Sequence, residues 1–261
     1  MIRLPLIDTV SRGYAFAFRH ILLLARIGWI WFVAAHAAVI AAPVLATRMG
    51  GMQLAFAGPL VMALAGAAIV VAWHRVVASH GEARRVARLG RRELRYLGFV
   101  LALLGILYVP VVAMTMIADA GGGRPSPALI WPLAGAMLIV IVSICRLILI
   151  FPGIALERRV MTLSRSWALT RGNAWCLFIG GVMCAGPLLV LGAGLGAASE
   201  ILLAREAAWW LGHGSALLGS LALFLQFAVV GGYLSFVFEH FAAQPLPAES
   251  TRSAPPSAVT A

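Results

Sequence analysis

Six long apolar stretches alternate with shorter polar segments along this chain. They run over about 27–46, 54–73, 97–118, 128–151, 174–199 and 215–238. A helix crosses the hydrocarbon core of a bilayer with about 20 apolar residues, and each stretch is long enough. Because a helix satisfies its own backbone hydrogen bonds in lipid, the pattern predicts an all-α, polytopic membrane protein with about six transmembrane helices. The short alternating segments of an outer-membrane barrel are missing from the sequence.

Composition agrees with a single membrane domain. The chain has 261 residues, of which 62% are hydrophobic and 11% charged, and its mean hydropathy is +0.97. Soluble domains carry about 25% charged residues. We therefore expect a membrane domain over 27–241, preceded by an amphipathic cytoplasmic segment over 1–26. The Pro-rich tail over 242–261 is predicted to be disordered and cytoplasmic. A cleaved signal peptide is the competing interpretation of the first span, but about 26 residues precede it, which is long for such a leader.

Arginine is distributed unevenly between the two sides of the predicted membrane. All twenty basic residues are Arg, and three of them, Arg48, Arg124 and Arg205, lie in one set of alternate gaps. The other seventeen are Arg3, Arg12, Arg19, Arg26, Arg75, Arg84, Arg85, Arg88, Arg91, Arg92, Arg95, Arg146, Arg158, Arg159, Arg165, Arg171 and Arg252. The arginine-rich side is predicted to be cytoplasmic, with both termini there. The absence of Lys beside abundant Ala, Gly and Arg suggests a bacterial inner-membrane protein.

Basic or amphipathic segments precede the first, third and fifth spans. A helix over Glu82–Arg95 would place six arginines within an arc of about 120°. A helix over Leu156–Arg171 would place Leu156, Val160, Leu163 and Trp167 on one face. These surface helices are interpreted either as topology signals or as contact sites for anionic phospholipid or a protein partner. The predicted contact residues are Arg84, Arg85, Arg88, Arg91, Arg92, Arg95, Arg165, Trp167 and Arg171.

Two of these segments share a short pattern. Residues Ser11–Phe16 match Ser164–Leu169 loosely at an offset of 153, although chance explains six positions equally well. The stretch Ser164–Trp175, which follows Phe151–Glu157, resembles poorly characterised bacterial integral membrane proteins. These are similar to the membrane domain attached to some glycerophosphoryl diester phosphodiesterases. The resemblance covers about 25 residues and implies a helical membrane module with cytoplasmic surface helices. It does not imply phosphodiesterase activity, because the catalytic barrel of that family is a separate domain.

Polar residues inside the predicted spans are the other functional candidates. His36, Arg146 and Gln226 stand out, since ionisable groups in a membrane often mark a functional site. The alternative is that His36 and Gln226 bond neighbouring helices and that Arg146 extends to the interface. The fifth span is rich in Gly and contains Pro187, which suggests either close helix packing or a broken helix at a transport site.

Catalytic and metal-binding motifs are absent from the sequence, so we predict no catalytic residues, no metal and no cofactor. Cys145, Cys176 and Cys184 match no metal or redox spacing and are expected to be free. The formal charge of +11 lies beside apolar spans, which favours anionic phospholipid over nucleic acid. The leading hypothesis is a non-enzymatic inner-membrane module that interacts with lipid or organises a partner. The rivals are a small transporter, or a transporter subunit, and a lipid-modifying enzyme. The enzyme would need a cavity in which arginines meet His74 or Glu157.

Overall fold

The computed structural model describes residues 3–49, 57–81, 87–120, 127–158, 161–204 and 209–242, and these form α-helices without strands. The helices within these ranges are α1 Leu6–Arg19, α2 Ile21–Met49, α3 Ala57–Ala78, α4 Arg91–Ala120, α5 Pro127–Leu147, α6 Ile150–Ala155, α7 Leu163–Leu169, α8 Ala174–Ala204 and α9 Trp209–Ala242.

Six segments are long and apolar enough to cross a membrane, and they fall where the sequence predicts spans. They are Ile21–Ala42, Ala57–Ala78, Arg91–Pro110, Ala134–Ala155, Ala174–Ala204 and Trp209–Ala242. The protein is therefore an all-α, multi-pass membrane protein, as predicted. The helices outrun the apolar stretches: α2 begins at Ile21 rather than near residue 27, and α9 begins at Trp209 rather than near 215. Helical hydrogen bonding continues into polar ends, where a side chain such as Arg26 is exposed.

Two helices form the centre of the bundle. In the membrane-crossing windows of α3 and α9, 61% and 67% of the residues are buried, against 17–22% in the other four. Trp73 of α3 and Tyr233 and Phe241 of α9 are fully covered. The other four spans lie around this pair and direct most of their apolar side chains outward, which suits a lipid environment.

Glycines bring α8 and α9 close together. A Cβ at Gly219 would lie 3.2 Å from the Gly192 carbonyl oxygen, and a Cβ at Gly192 would lie 3.5 Å from the Gly219 carbonyl oxygen. Such small residues let two membrane helices approach closely. Helix α8 continues through Pro187 without a break. The fifth span is thus a continuous helix that packs closely on α9 at Gly192, and the broken-helix interpretation is wrong.

Helix α1 lies across one end of the bundle. Its buried face consists of Thr9, Val10, Gly13 and Ala17. A Cβ at Gly13 would lie 3.2 Å from the Tyr233 backbone nitrogen of α9. The N-terminal side of α1 reaches the start of α8, where Leu4 N donates to Asn173 Oδ1 at 3.1 Å. We call this end of the molecule the basic end, because α3 and α9 finish there beside the arginine-rich segments.

Two predicted surface helices differ from the structure. The helix over Glu82–Arg95 is wrong for residues 87–90, which are not helical, and α4 begins at Arg91; residues 82–86 lie outside the described part. The helix over Leu156–Arg171 is shorter than predicted, because α7 covers Leu163–Leu169, and residues 159 and 160 lie outside the described part. The predicted tail beyond Ala242 also lies outside it.

Candidate functional site

Three adjoining cavities at the basic end surround the turn that follows α6. Cavity A, of about 520 Å³, is lined by Arg91, Arg92, Arg95, Gly153, Ile154, Glu157, Arg158 and Met161. Cavity B, of about 390 Å³, is lined by Arg75, Ala78, Ser79, Arg92, Ala155, Leu156 and Glu157. Cavity C, of about 510 Å³, is lined by His74, Ala78, Leu156, Arg158, Met161, Arg165, Ser235, Phe238, Glu239 and Ala242. Together we call them the arginine crevice.

The start of α4 places three arginines at the crevice. The Gly90 backbone N–H donates to Glu93 Oε2 at 2.9 Å, which satisfies a donor at the helix start. The preceding segment is fixed to α2, because Ala87 N donates to the Ile27 carbonyl at 3.0 Å and Trp31 Nε1 donates to the Ala87 carbonyl at 2.9 Å. The helix therefore begins at Arg91 and carries its basic first turn, with Arg92 and Arg95, into cavity A.

The turn after α6 has an unusual residue at its left-handed position. Arg158 N donates to the Gly153 carbonyl at 2.9 Å and Glu157 N donates to the Ile154 carbonyl at 3.2 Å. This pair of bonds is the Schellman motif, in which Gly is usual at the residue with positive φ. Here that residue is Glu157, with φ of 54°. A non-glycine residue costs about 1–2 kcal/mol in this conformation, so Glu157 occupies a position that local geometry alone would give to Gly.

Glu157 is paired with Arg92 across the crevice. Glu157 Oε1 lies 2.6 Å from Arg92 Nη2 and accepts a hydrogen bond of 3.1 Å from Arg92 Nε. That hydrogen bond and the charge of Arg92 lower the pKa of the Glu157 carboxyl group, and Arg75 and Arg95 add to the effect. The carboxyl group is therefore ionised at neutral pH and occupies a cluster of arginines.

Cavity C has a polar wall made by α3 and α9. His74 is fully buried, and its Nδ1 lies 2.7 Å from Ser235 Oγ, which in turn donates to the Gly231 carbonyl at 2.8 Å. The Ser235 hydroxyl group has one proton and donates it to the Gly231 carbonyl oxygen. The His74 imidazole therefore donates from Nδ1 to Ser235 Oγ, and its Nε2 is the acceptor nitrogen. Within the described residues Nε2 has no partner. Spacing along the sequence gave no reason to group His74 with Ser235, since helix packing brings them together.

Helix α7 closes the crevice and is held by its polar face. Ser166 and Thr170 are fully buried, whereas Leu163 and Trp167 are 55% and 39% exposed. Leu163 and Trp167 therefore lie on the exposed face of α7, where an amphipathic surface helix carries the side chains that contact lipid. The buried polar face is held by Arg146, whose carbonyl oxygen accepts hydrogen bonds from the Ser166 and Thr170 hydroxyl groups. Arg146, which was predicted to extend to the membrane interface, thus holds α7 in place.

The predicted contact residues separate into three groups. Arg91, Arg92, Arg95 and Arg165 line the crevice. Arg88 and Arg171 are exposed and do not line these three cavities, and Trp167 stacks on Arg146. Arg84 and Arg85 lie outside the described residues. Sequence reasoning did not single out Arg75, which lies outside the predicted surface helices, or Arg158, which lies within the predicted helix over Leu156–Arg171.

The other membrane candidates are not brought together. His36 Nδ1 lies 3.0 Å from Ser220 Oγ, which links α2 to α9. Gln226 lies six residues further along α9, about 9 Å by helical rise, and no hydrogen bond recorded for the described residues joins it to His36. The fully buried polar side chains of the spans, His74, Ser199 and Ser235, lie within about eight residues of a helix end. The described spans therefore show no continuous polar path.

Metal and thiol chemistry also have little support in the described residues. No group of three or more His, Cys, Asp or Glu side chains there could hold a metal ion. Cys145, Cys176 and Cys184 are free thiols. The chemistry available in the arginine crevice is therefore that of its arginines, the carboxylates of Glu157 and Glu239 and the His74–Ser235 pair.

Comparison with protein-family models, with curated proteins and with solved structures finds no match. The resemblance to the membrane domain of glycerophosphoryl diester phosphodiesterases stays a prediction. The arginine crevice is therefore the feature that points to a function.

Proposed function

We propose that this protein is a non-enzymatic module of a bacterial inner membrane that binds anionic phospholipid headgroups in the arginine crevice. The observation that carries the proposal is the lining of cavity A, where Arg91, Arg92, Arg95 and Arg158 surround a space of about 520 Å³. Guanidinium groups match phosphate oxygens in both charge and geometry. Basic pockets between membrane helices on the cytoplasmic side are typical sites for anionic headgroups.

We also propose that the basic end faces the cytoplasm. Seventeen of the twenty arginines lie in the gaps that open on the basic end, and this asymmetry favours a cytoplasmic location. Anionic lipid in the cytoplasmic leaflet attracts basic residues near the membrane by about 1 kcal/mol each. The crevice lies between the ends of α3, α4 and α9, where a headgroup can enter from the leaflet while its acyl chains stay in lipid.

Native mass spectrometry of the protein extracted with its own lipids tests this function. We expect the wild type to retain an anionic phospholipid. A variant with Arg91→Gln, Arg95→Gln and Arg158→Gln should lose it. A matched control with Arg19→Gln, Arg26→Gln and Arg171→Gln removes the same charge from exposed positions at the same end and should keep it. Equal lipid retention by both folded variants would refute the crevice as a binding site. A protein that co-purifies with all three would then favour a partner-organising role.

A second candidate function, lipid modification, is favoured by cavity C. Arg158 and Arg165 meet the His74–Ser235 pair and Glu239 around one space, as a lipid-modifying enzyme would require. We place it second because Ser235 is 4% exposed and its hydroxyl proton is already committed to the Gly231 carbonyl. Incubation with radiolabelled phospholipid decides the question. Conversion by the wild type that is lost in both His74→Ala and Ser235→Ala would replace the non-enzymatic proposal.

A further inference from the structure

The Arg92–Glu157 pair stands between cavities A and B. Both residues line both cavities, so their side chains form the partition between two spaces of about 520 and 390 Å³. Removal of the Glu157 carboxylate from Arg92 would join the two spaces. The pair is therefore placed to control what enters the crevice.

Glu157 occupies the position that an anionic ligand would take. Its carboxylate bonds Arg92 and also feels the positive charges of Arg75 and Arg95. Both recorded contacts with Arg92 fall on one oxygen, Oε1, so the guanidinium is not engaged by two acceptor oxygens as it is in a bidentate pair. A phosphate group could supply that second acceptor.

The carboxylate can also leave readily. The Glu157 side chain is 67% exposed, whereas that of Arg92 is 24% exposed. When the pair breaks, the carboxylate turns into water, and the arginine stays in the wall. Exposed ion pairs contribute little to stability, so a ligand that binds Arg92 better than Glu157 replaces it at small cost.

Resting on the lipid-binding function above, we propose that Glu157 is an internal competitor that weakens the binding of every anionic headgroup by the same factor, and that the arginines it occupies prefer phosphomonoester headgroups, of the phosphatidate class. A phosphomonoester carries a charge of about −1.5 to −2 at neutral pH and three strong acceptor oxygens. A phosphodiester carries one negative charge, the same as the carboxylate, and is therefore the weaker ligand for the arginines. The left-handed conformation of Glu157 supports this role, because a non-glycine residue in a position suited to Gly points to a functional constraint.

Competition between two lipids of identical acyl chains tests the proposal. Purified full-length protein is mixed with equal amounts of phosphatidate and phosphatidylglycerol, and the bound lipid is counted by native mass spectrometry. We expect the wild type to prefer phosphatidate by about tenfold, the ratio that one additional charge-assisted hydrogen bond provides. Glu157→Gln should increase the binding of both lipids and leave the ratio near tenfold, because both displace the same carboxylate. Glu157→Gly, which suits the turn better, should do the same, and Asp8→Asn, an exposed acid of α1, should leave the bound amounts of both lipids at the wild-type value.

The outcomes separate this inference from the function on which it rests. If Glu157→Gln binds no more of either lipid than the wild type does, the competitor role is wrong while lipid binding stands. Equal binding of the two anionic lipids by the wild type would overturn the preference for phosphomonoesters. If the wild type retains neither lipid above a phosphatidylcholine background, both proposals fail. Complete displacement of phosphatidate by an equimolar amount of soluble glycerol 3-phosphate would overturn the assignment to a lipid.

Discussion

The guanidinium carbon of Arg146 lies 3.8 Å from the centre of the Trp167 ring, and Arg146 Nη2 donates to the Trp167 carbonyl oxygen at 2.7 Å. Bonds also run the other way, from the Ser166 and Thr170 hydroxyl groups to the Arg146 carbonyl oxygen at 2.8 and 3.0 Å. Side chain and backbone of one residue therefore hold the middle and the C-terminal end of α7. Because Arg165 belongs to α7, this contact positions one wall of the arginine crevice.

We expect Arg146→Gln to loosen α7. The substitution removes a cation–π contact and a charge-assisted hydrogen bond, and it should lower the free energy of unfolding by about 1–2 kcal/mol. Thermal unfolding in detergent measures that loss, and limited proteolysis between residues 156 and 171 should become faster. The exposed Arg171→Gln serves as the control and should behave as the wild type. A variant with wild-type stability and wild-type proteolysis would show that the Arg146 side chain does not hold α7.

Two adjacent glycines of α8 should respond differently to substitution. A Cβ at Gly180 would overlap the phenol group of Tyr233, which donates a hydrogen bond of 3.2 Å to the Leu177 carbonyl oxygen. A Cβ at Gly181 would meet nothing within 4 Å. Gly180→Ala should therefore destabilise the protein by about 1–3 kcal/mol, as overpacking does. Gly181→Ala should be neutral or slightly stabilising, since Ala favours helix. Thermal unfolding of the two variants side by side is the measurement, and equal effects would contradict the α8–α9 packing.

Much of the fold could be predicted from sequence because the membrane imposes a simple physical rule. Each stretch of about 20 apolar residues must form a helix, so the number and approximate positions of the spans follow from the pattern. The exact starts did not follow, since α2 begins at Ile21, ahead of Arg26, and α4 begins at Arg91 within polar sequence, where capping and tertiary contacts decide. At α4 the deciding contact is the hydrogen bond from the Gly90 backbone N–H to the Glu93 carboxylate. The arc of arginines over Glu82–Arg95 gave no indication of a helix start at this position.

The candidate site could be predicted only in part. Charge clustering singled out Arg91, Arg92, Arg95 and Arg165, which the structure places around the arginine crevice. Arg75 and Arg158 join them through the packing of α3 and the turn after α6, which no local pattern specifies. Face periodicity separates the apolar side of α7 from its hydroxyl side. It does not show that the Arg146 carbonyl oxygen accepts a hydrogen bond from Ser166 on the hydroxyl side.

The pKa of Glu157 provides a test of the Arg92 contact. In the folded protein this pKa is lowered from its ordinary value of 4.5, first by the hydrogen bond from Arg92 and then by the charges of Arg92, Arg75 and Arg95. The stabilisation from this pair is therefore complete above about pH 4.5 and is lost as the pH falls through the lowered value. Titration of ¹³C-labelled glutamate carboxyl groups by NMR should place Glu157 below 4.5. Arg92→Gln should raise that pKa, and Arg88→Gln, at an exposed arginine outside the crevice, should not. A wild-type value at or above 4.5 would mean that the pair does not form in solution.

Membrane orientation is open to a direct genetic test. Alkaline phosphatase folds into an active enzyme only when it is exported, so a fusion reports the side of the membrane on which its junction lies. The positive-inside argument places Gly122, between the third and fourth spans, outside the cytoplasm and Gly90, at the basic end, inside it. We expect a fusion after Gly122 to be active and one after Gly90 to be inactive, with immunoblots to confirm equal amounts of both fusions. The reverse pattern would place the arginine crevice on the outer face, away from the anionic cytoplasmic leaflet, and would remove the physical basis of the proposed lipid binding.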